Sequence, residues 1–404
     1  MTRHIILFFA VLFSVALAAD SSLAQQARQP PPEAADLEGG ETAGPPPTEP
    51  EEIPELKPQE DITSINPLPP ELPDRTTELL GDINVILDIP LSQIPNYRDH
   101  MRQIVEELTG YARGRNPGFT VITYGGFDLF SWSQREYDLA ELKRPEMTKP
   151  SAVADTELPV GFPIRRYQQR VNGFILDGFY CAPIRVPAAD VEAMRAQSLK
   201  ALTVDHCPED RAQNAFELAR KAGIVAHVDT DMMRKFAVVP TVKPDPENSA
   251  NVENLTAARS MLINLDNRGF GNKANWLLAL KNTNHDVVVV DGFYNGNQAL
   301  TKDDVRGLKY KKLGSRRLVL AWLDVGQASD ERFYWQREWR VGNPTWIKAI
   351  DRSSPGKYHV EFWNPAWKAI IGKTFGGLVD LGFDGIVLAG VESYRRWEFM
   401  TPVN

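Results

Sequence analysis

Carboxylate side chains follow the short apolar runs of this sequence so regularly that they are the first candidates for chemistry. Two carboxylates in one cleft resist simultaneous ionisation, so one is kept as a proton donor while the other stays anionic. Glycosidic bonds are cleaved by such a pair. A single aspartate after a strand also caps the next helix by accepting backbone N–H groups, so both interpretations stay open. The acids at or just after predicted strand ends are Asp88, Asp128, Asp177, Asp229, Asp266, Asp291, Asp324 and Glu392.

Aromatic residues accumulate in the C-terminal third, where their faces can stack on the apolar C–H faces of sugar rings. Core filling is the alternative role, because aromatic side chains dominate ordinary cores. The segment 330–346, DERFYWQREWRVGNPTW, mixes rings with charges and loop residues, so we expect a cleft wall there. The aromatic residues are Trp322, Phe333, Tyr334, Trp335, Trp339, Trp346, Tyr358, Phe362, Trp363 and Trp367.

The overall charge excludes one large class of partners. The 404 residues carry 45 basic and 53 acidic side chains, a net charge of −8, so no global positive field would hold nucleic acid. A neutral or cationic partner fits better. Six scattered histidines and two cysteines lack metal-ligand spacing, and no glycine-rich phosphate loop or hydrolase elbow occurs. We therefore expect neither a metal nor a cofactor.

The N-terminus is typical of an export signal. Arg3 and His4 precede an apolar run over 5–17 that closes among alanines, so residues 1–24 are predicted to be a signal peptide. That run is shorter than a membrane-spanning helix requires. The mature protein should then be secreted or periplasmic without a membrane span, and a retained anchor is the alternative. In an oxidising compartment Cys181 and Cys207 could pair, which the sequence leaves open.

Residues 25–75 differ in composition from the rest of the chain. They include PPP at 30–32, PPP at 45–47 and LPPELP at 68–73, among many acidic residues. Proline removes backbone donors and favours extended polyproline II, while clustered acids repel one another. We predict a disordered, semi-rigid linker.

From residue 76 onward, β-branched runs alternate with stretches of helical periodicity, which predicts βα units. The runs are apolar on both faces, as strands of a helix-covered parallel sheet are. We therefore predict the α/β class and a single (β/α)8 TIM barrel over 76–404, ahead of an open doubly wound sheet. Nine runs are one more than the barrel needs, and we assign the extra strand to the N-terminus: 83–89, 119–125, 173–179, 223–229, 235–242, 260–266, 286–292, 318–324 and 385–391.

Several of these motifs, in this order, resemble the N-terminal half of the barrel of glycoside hydrolase family 114, the endo-α-1,4-polygalactosaminidase-like group. The resemblance implies hydrolysis of a partly deacetylated, cationic galactosamine polysaccharide, which suits an exported protein of negative net charge. The matching segments are VVVVDG (287–292), LTKDDVRGLK (300–309), LVLAWLDVGQASDERFYW (318–335), KYHVEFWNPAWKAII (357–371) and GFDGIVLAGVESY (382–394).

The order of the two halves departs from that family. Residues 255–404 resemble the first half of the family barrel, whereas 76–242 resemble the second half, which here precedes the first. We infer a circular permutation, with the halves joined through the polar segment 243–255. A barrel tolerates this change because its first and last strands are neighbours.

Other departures affect the residues expected to do chemistry. The family's fourth strand ends in the typical catalytic aspartate, whereas this chain has Ala389, which can neither donate a proton nor attack. The family's Gly-Glu-Ala-Glu signature appears here as Gly326, Gln327, Ala328 and Ser329. The remaining candidates for catalysis are Asp291, Asp324, Asp128 and Glu392, and those for substrate binding are Gln327, Arg332, Tyr334, Trp335, Trp363, Asp177 and Asp229.

The first interpretation of this pattern is a secreted hydrolase of an α-linked galactosamine-type polysaccharide that works by carboxylate acid–base chemistry. The alternatives are a pseudoenzyme that binds such a polymer without cutting it and an unrelated envelope scaffold. Loss of a catalytic carboxylate removes general acid–base help worth roughly 10²–10⁴-fold in rate, whereas ring stacking survives that loss. Two free carboxylates about 5–10 Å apart would favour hydrolysis. Acids already bonded to backbone amides would favour binding.

Overall fold

A computed structural model describes residues 86–87, 89–143, 160–181, 188–231 and 235–403. The predicted signal peptide (1–24) and linker (25–75) lie outside these residues, as does Asp88. Within the described part of the chain, no helix has both the length and the apolar character needed to cross a membrane.

The centre of the fold is an eight-stranded, all-parallel sheet that curves into a nearly closed barrel. The eight strands are β1 (Thr120–Tyr124), β2 (Gly173–Asp177), β3 (Lys200–His206), β4 (Val225–Asp229), β5 (Met261–Asn264), β6 (Val287–Asp291), β9 (Leu318–Asp324) and β13 (Gly385–Ala389). Neighbouring strands in the sheet follow the order β4, β3, β2, β1, β13, β9, β6 and β5.

Two small antiparallel sheets follow barrel strands. One is a hairpin of β7 (Phe293–Tyr294) and β8 (Gln298–Ala299). The other joins β10 (Gln327–Ser329), β12 (Lys357–Val360) and β11 (Ile347–Ile350), in that order. The α-helices of the described residues are Tyr97–Arg115, Gln134–Lys143, Arg165–Gln168, Ala188–Arg195, Glu209–Lys221, Lys273–Lys281, Lys302–Leu308, Pro365–Leu381 and Tyr394–Met400.

The predicted α/β barrel is therefore confirmed at the level of architecture, but individual strand assignments differ. The run 235–242 is not a strand, and the assignment was wrong: Phe236 has a φ of 51°, in a region that extended strands do not use. Strand β3 was missed because KALTVDH carries polar residues that hide its apolar face. Of the proposed N-terminal strand, Ile86, Leu87 and Ile89 are described and none is in a strand.

The first and last barrel strands of the chain are hydrogen-bonded neighbours, since Thr120 of β1 pairs with Gly385 of β13. The sheet ends instead at β4 and β5, which lie side by side without a ladder pair in the described residues. We call this boundary the seam. The carbonyl of Phe236 accepts bonds from Leu265 N (2.9 Å) and Asn264 Nδ2 (3.0 Å), so its segment lines the open edge of β5.

The strands are buried on both faces, as their apolar runs predict. One core fills the barrel interior and includes Ile122, Leu202, Val289 and Leu320. A second core packs between the barrel and its helices, where Trp367 and Phe375 of the helix Pro365–Leu381 are fully buried. Burial of each such side chain stabilises the folded state by about 1.5–3 kcal/mol. Together the two cores hold the strand ends in fixed positions.

Cys181 and Cys207, whose pairing the sequence left open, form a disulfide with their Cα atoms 5.4 Å apart. The bridge ties the chain after β2 to the end of β3. Asp205 reinforces this junction, because its Oδ1 accepts the backbone N–H groups of Tyr180 (2.5 Å) and Cys181 (2.9 Å).

Candidate functional site

The mouth of the barrel is the edge where the carboxyl ends of the parallel strands meet. Side chains alternate along each strand, and Val289 and Trp322 belong to the barrel interior. Asp291 lies two residues after Val289, and Asp324 lies two residues after Trp322. Both carboxylates therefore face the inside of the mouth. Asp291 pairs with Trp322 in the ladder, which places Asp324 two residues further out on the neighbouring strand. Ala389 of β13 lies directly beside Asp324 in the next ladder.

A cavity of about 330 Å³ opens on this side of the mouth, which we call the first mouth cavity. Five of the residues predicted for the site line it, so the structure brings them together as expected from the strand ends. They are Asp291, Asp324, Gln327, Arg332 and Tyr334.

Asp291 and Arg332, which both line this cavity, form an ion pair in which one guanidinium nitrogen contacts both carboxylate oxygens. Nη1 of Arg332 lies 2.8 Å from Oδ1 and 2.6 Å from Oδ2 of Asp291. Asp291 is 7% exposed, and burial raises the pKa of its carboxyl, while the charge and hydrogen bonds of Arg332 act in the opposite direction. Oδ1 also accepts the backbone N–H of Phe293 at 3.0 Å. Both oxygens of the Asp291 carboxylate therefore already have a partner.

Both carboxylate oxygens of Asp324 also have partners. Its Oδ1 accepts the backbone N–H groups of Gly326 (3.1 Å) and Gln327 (3.0 Å), and its Oδ2 lies 3.2 Å from Nζ of Lys357. The side chain of Gln327 turns away from it and donates to Oδ2 of Asp351 at 2.8 Å. Asp324 therefore shapes the turn that leads from β9 to β10.

A second mouth cavity, of about 320 Å³, lies at the ends of β1, β2 and β13. Asp128, Asp177 and Glu392 line it together with Arg395, so the predicted acids divide between two cavities. The exposed Asp177 stands at the end of β2 on the interior face.

Asp128 is held in its anionic form. It accepts a bond from Tyr394 Oη at 2.5 Å, and its carboxylate lies 3.1 Å from Arg395 and 3.3 Å from Arg98. Burial raises the pKa of Asp128, but the Tyr394 hydrogen bond and the two guanidinium charges outweigh burial, so the pKa is lowered. A carboxyl with a lowered pKa is a poor proton donor at neutral pH.

Glu392 is fixed by the turn after β1. Its Oε1 accepts the backbone N–H of Gly126 at 2.9 Å and lies 3.0 Å from Arg395. Gly125 has a φ of +75°, and a Cβ there would come 2.8 Å from the carboxyl carbon of Glu392. Glycine is therefore required where the chain passes this carboxylate.

The other three predicted residues lie away from both mouth cavities. Trp335 stacks on Tyr358 with ring centroids 4.6 Å apart. Trp363 packs against Trp397 and lines an apolar cavity of about 510 Å³ between the helices Tyr97–Arg115 and Pro365–Leu381. Asp229, at the end of β4, is buried, and burial raises its pKa. A role of these three in substrate binding stays a prediction.

Sequence reasoning missed several residues that complete the site. Asp351 contacts Gln327 and Lys357 contacts Asp324 because the sheet of β10, β12 and β11 brings these distant segments together. No local sequence pattern predicts that strand pairing. Tyr124 lines the second cavity and contacts the ring of Trp322 at 5.0 Å, edge to face. Its position at the end of β1 was a usable signal, because strand ends were already the expected location of the site.

One group of metal-ligand side chains occurs in the described part of the chain: Cys181, Asp205 and Cys207, with ligand atoms within 4.8 Å of one another. The two sulfur atoms are joined in the disulfide and carry no thiolate charge. Since thiolates are the metal-binding form of cysteine, this group holds no metal while the disulfide is intact.

Comparisons with known proteins give relatives without an assigned function. No family model matches the chain. An uncharacterized protein of Thermotoga maritima is 31% identical over 129 residues, 30% of this chain and 40% of the relative. An uncharacterized protein of Deinococcus radiodurans is 32% identical over 120 residues, 30% of this chain and 37% of the relative. One of Methanocaldococcus jannaschii is 30% identical over 158 residues, 37% of this chain and 43% of the relative. The chain thus spans less than half the length of each.

Proposed function

We propose that this protein is a glycoside-hydrolase-like barrel that binds an α-linked galactosamine-type polysaccharide at its mouth without cleaving it. One observation carries the proposal. The four carboxylates expected to do the chemistry are already bonded: Asp291, Asp324 and Glu392 accept backbone N–H groups, and Asp128 is paired with two arginines. Ala389 occupies the strand end where the family it resembles has its typical catalytic aspartate. What remains is a recognition surface of acids and aromatic rings.

The charge of the second mouth cavity supports a cationic ligand. Four carboxylates and a single arginine line the second mouth cavity: Asp128, Asp177, Asp190, Glu392 and Arg395. The aromatic rings of Tyr124, Phe127 and Phe179 line it too. A partly deacetylated amino sugar offers an ammonium group to the acids and an apolar ring face to the aromatics. Binding sites commonly combine apolar walls with a few polar groups in this manner.

The position of the seam supports a circular permutation. In an unpermuted barrel with 255–404 first, β5 would be the first strand and β4 the last, and β13 would lead directly into β1. The observed hydrogen bonds join β13 to β1, while the break in the ladder lies between β4 and β5. We therefore retain the proposal that the two halves are exchanged in sequence order.

We also propose that the protein is exported, either to the periplasm or out of the cell. The disulfide between Cys181 and Cys207 supports this location, because disulfides persist in oxidising compartments and are rare in the cytosol. The predicted signal peptide over 1–24 is the sequence feature behind the proposal.

Hydrolysis is the second candidate function, and one observation favours it. Asp291 and Asp324 face the same cavity from neighbouring strands, two residues out of register. Hydrolysis requires a pair of carboxyl groups about 5–10 Å apart, and these two side chains share one cavity. Burial raises the pKa of Asp291, as a proton donor requires. For that role Arg332 would have to release Asp291 when substrate binds.

Incubation of the protein lacking residues 1–24 with partly deacetylated galactosamine polymer tests both candidates. Retention on immobilised polymer and release of new reducing ends are measured separately, with a fully N-acetylated polymer for comparison. We expect retention without new reducing ends. New reducing ends that disappear in Asp324→Asn would overturn the non-catalytic proposal in favour of hydrolysis. Neither retention nor cleavage would reject both.

A further inference from the structure

Phe333 is a large apolar side chain that remains 45% exposed at the edge of the first mouth cavity. Its ring stacks on Phe293 with centroids 4.8 Å apart and planes 20° from parallel. Stacking covers part of Phe333, yet nearly half of the side chain faces solvent. The exposed ring therefore offers an apolar face beside a concave site that is also lined by polar and charged groups.

The backbone around Phe333 is anchored on both sides. Arg332, directly before it, forms the ion pair with Asp291 through Nη1. Tyr334, directly after it, accepts the backbone N–H of Ser329 at its hydroxyl, 3.1 Å away. Because both neighbours point into the fold, the ring of Phe333 is held at the rim.

The supporting ring, Phe293, is equally fixed. Asn267 is 2% exposed and clamps the β7–β8 hairpin, since its Nδ2 donates to Phe293 O (3.0 Å) and its Oδ1 accepts Asn295 N (2.8 Å). The hairpin turn then packs against the Phe333 loop: Gly296 has a φ of +74°, and a Cβ there would come 2.7 Å from the carbonyl oxygen of Glu331. The two loops therefore fix each other's position.

Charged groups line the same cavity as the exposed ring. Arg268 joins Asp266 (2.9 Å) and Glu331 (3.4 Å), and all three side chains line the same cavity. A ligand lying on Phe333 would therefore meet an apolar face below and hydrogen-bonding groups around its edge. A pyranose ring has this distribution, with C–H groups on its face and hydroxyl or amino groups on its rim.

We propose that Phe333, supported by Phe293, is a preformed platform on which one sugar ring of the bound polysaccharide stacks. This inference rests on the proposed carbohydrate-binding function and adds the subsite that receives the ring. A rigid platform loses little conformational entropy when ligand binds, so its contact contributes directly to affinity.

Three variants and a glycan panel test the platform. Phe333→Ala removes the ring, Phe333→Trp retains an aromatic face, and Phe399→Ala is the control, because Phe399 is 55% exposed and lines neither mouth cavity. The panel contains partly deacetylated galactosamine oligosaccharides, their N-acetylated forms and neutral glucan oligosaccharides. Binding is measured by calorimetry, and thermal unfolding verifies that each variant is folded.

We expect Phe333→Ala to weaken binding roughly tenfold, in line with the loss of one aromatic contact, and Phe333→Trp and Phe399→Ala to bind within about twofold of wild type. Equal binding by Phe333→Ala and wild type would overturn the platform and leave the proposed function intact. If wild type binds only a neutral glucan and Phe333→Ala loses that binding, the platform stands and the galactosamine proposal falls. Binding of no glycan by wild type rejects both.

Discussion

Ala389 and Asp324 are direct ladder partners at the mouth of the barrel, on the neighbouring strands β13 and β9. Ala389 is 4% exposed, and its side chain lies on the interior face. The position beside Asp324 on β13 therefore carries a small, buried, apolar side chain. From this relationship we expect that introducing a carboxylate there is not a neutral change.

We expect Ala389→Asp to lower the free energy of unfolding by about 1–3 kcal/mol at pH 7, because a buried carboxylate next to Asp324 is both desolvated and repelled. Protonation relieves both effects, so the loss should be smaller at pH 4 than at pH 7. Urea unfolding at the two pH values measures the change. Ala366→Asp, at an exposed position in the first turn of the helix Pro365–Leu381, is the control and should change stability little. A variant as stable as wild type at both pH values would show that the position is open to water.

Breaking the Asp291–Arg332 pair should destabilise the protein. Asp291→Asn leaves the largely enclosed guanidinium without its counter-charge, and we expect a loss of about 2–4 kcal/mol. The double variant Asp291→Asn/Arg332→Gln should lose less than the sum of the two single variants, because neither charge is left alone. Chemical denaturation of the four proteins measures the coupling. Asp303→Asn breaks the exposed pair with Arg306 and should have no measurable effect. Additive losses would mean that the two side chains act independently.

The buried His285 should make stability depend on pH. Burial, followed by the charge of Arg317, lowers the pKa of His285 from 6.5 to about 4. Between these values the unfolded chain binds a proton that the folded chain does not, so stability is full above pH 6.5 and falls as the pH falls toward 4. The loss attributable to this histidine is up to about 3 kcal/mol. The free energy of unfolding of His285→Gln should therefore decrease less than that of wild type between pH 6.5 and pH 4, as measured by urea titration. An unchanged pH profile would assign that fall to other groups.

The disulfide should contribute to stability through the unfolded chain. Its cysteines are 26 residues apart in sequence, and a loop of that size corresponds to about 3–4 kcal/mol in the chain-entropy treatment. The double variant Cys181→Ser/Cys207→Ser should lose that amount in denaturant titrations. Reductant should reduce the stability of wild type and leave the double variant unchanged. If reductant has no effect on wild type, the bridge is absent or is thermodynamically neutral.

The sequence predicted the barrel and the location of its acids because both depend on local patterns. A buried parallel strand is a short apolar run, and the chemistry of a barrel lies where such runs end. Asp291, Asp324 and Asp177 were placed correctly by that rule alone. The rule failed where local composition misled it, as in the polar strand β3 and in the segment of Phe236, whose backbone lies in the left-handed region.

Only the tertiary structure decided what those acids do. Whether Asp324 is free or bonded depends on the turn at Gly326 and on Lys357, which arrives from a separate sheet. The division of the acids into two cavities depends on which strands are neighbours, and the support of Phe333 by Phe293 depends on two loops about forty residues apart in sequence. Apolar periodicity is encoded residue by residue, whereas contacts between distant loops arise from the closure of the barrel, which no short segment specifies.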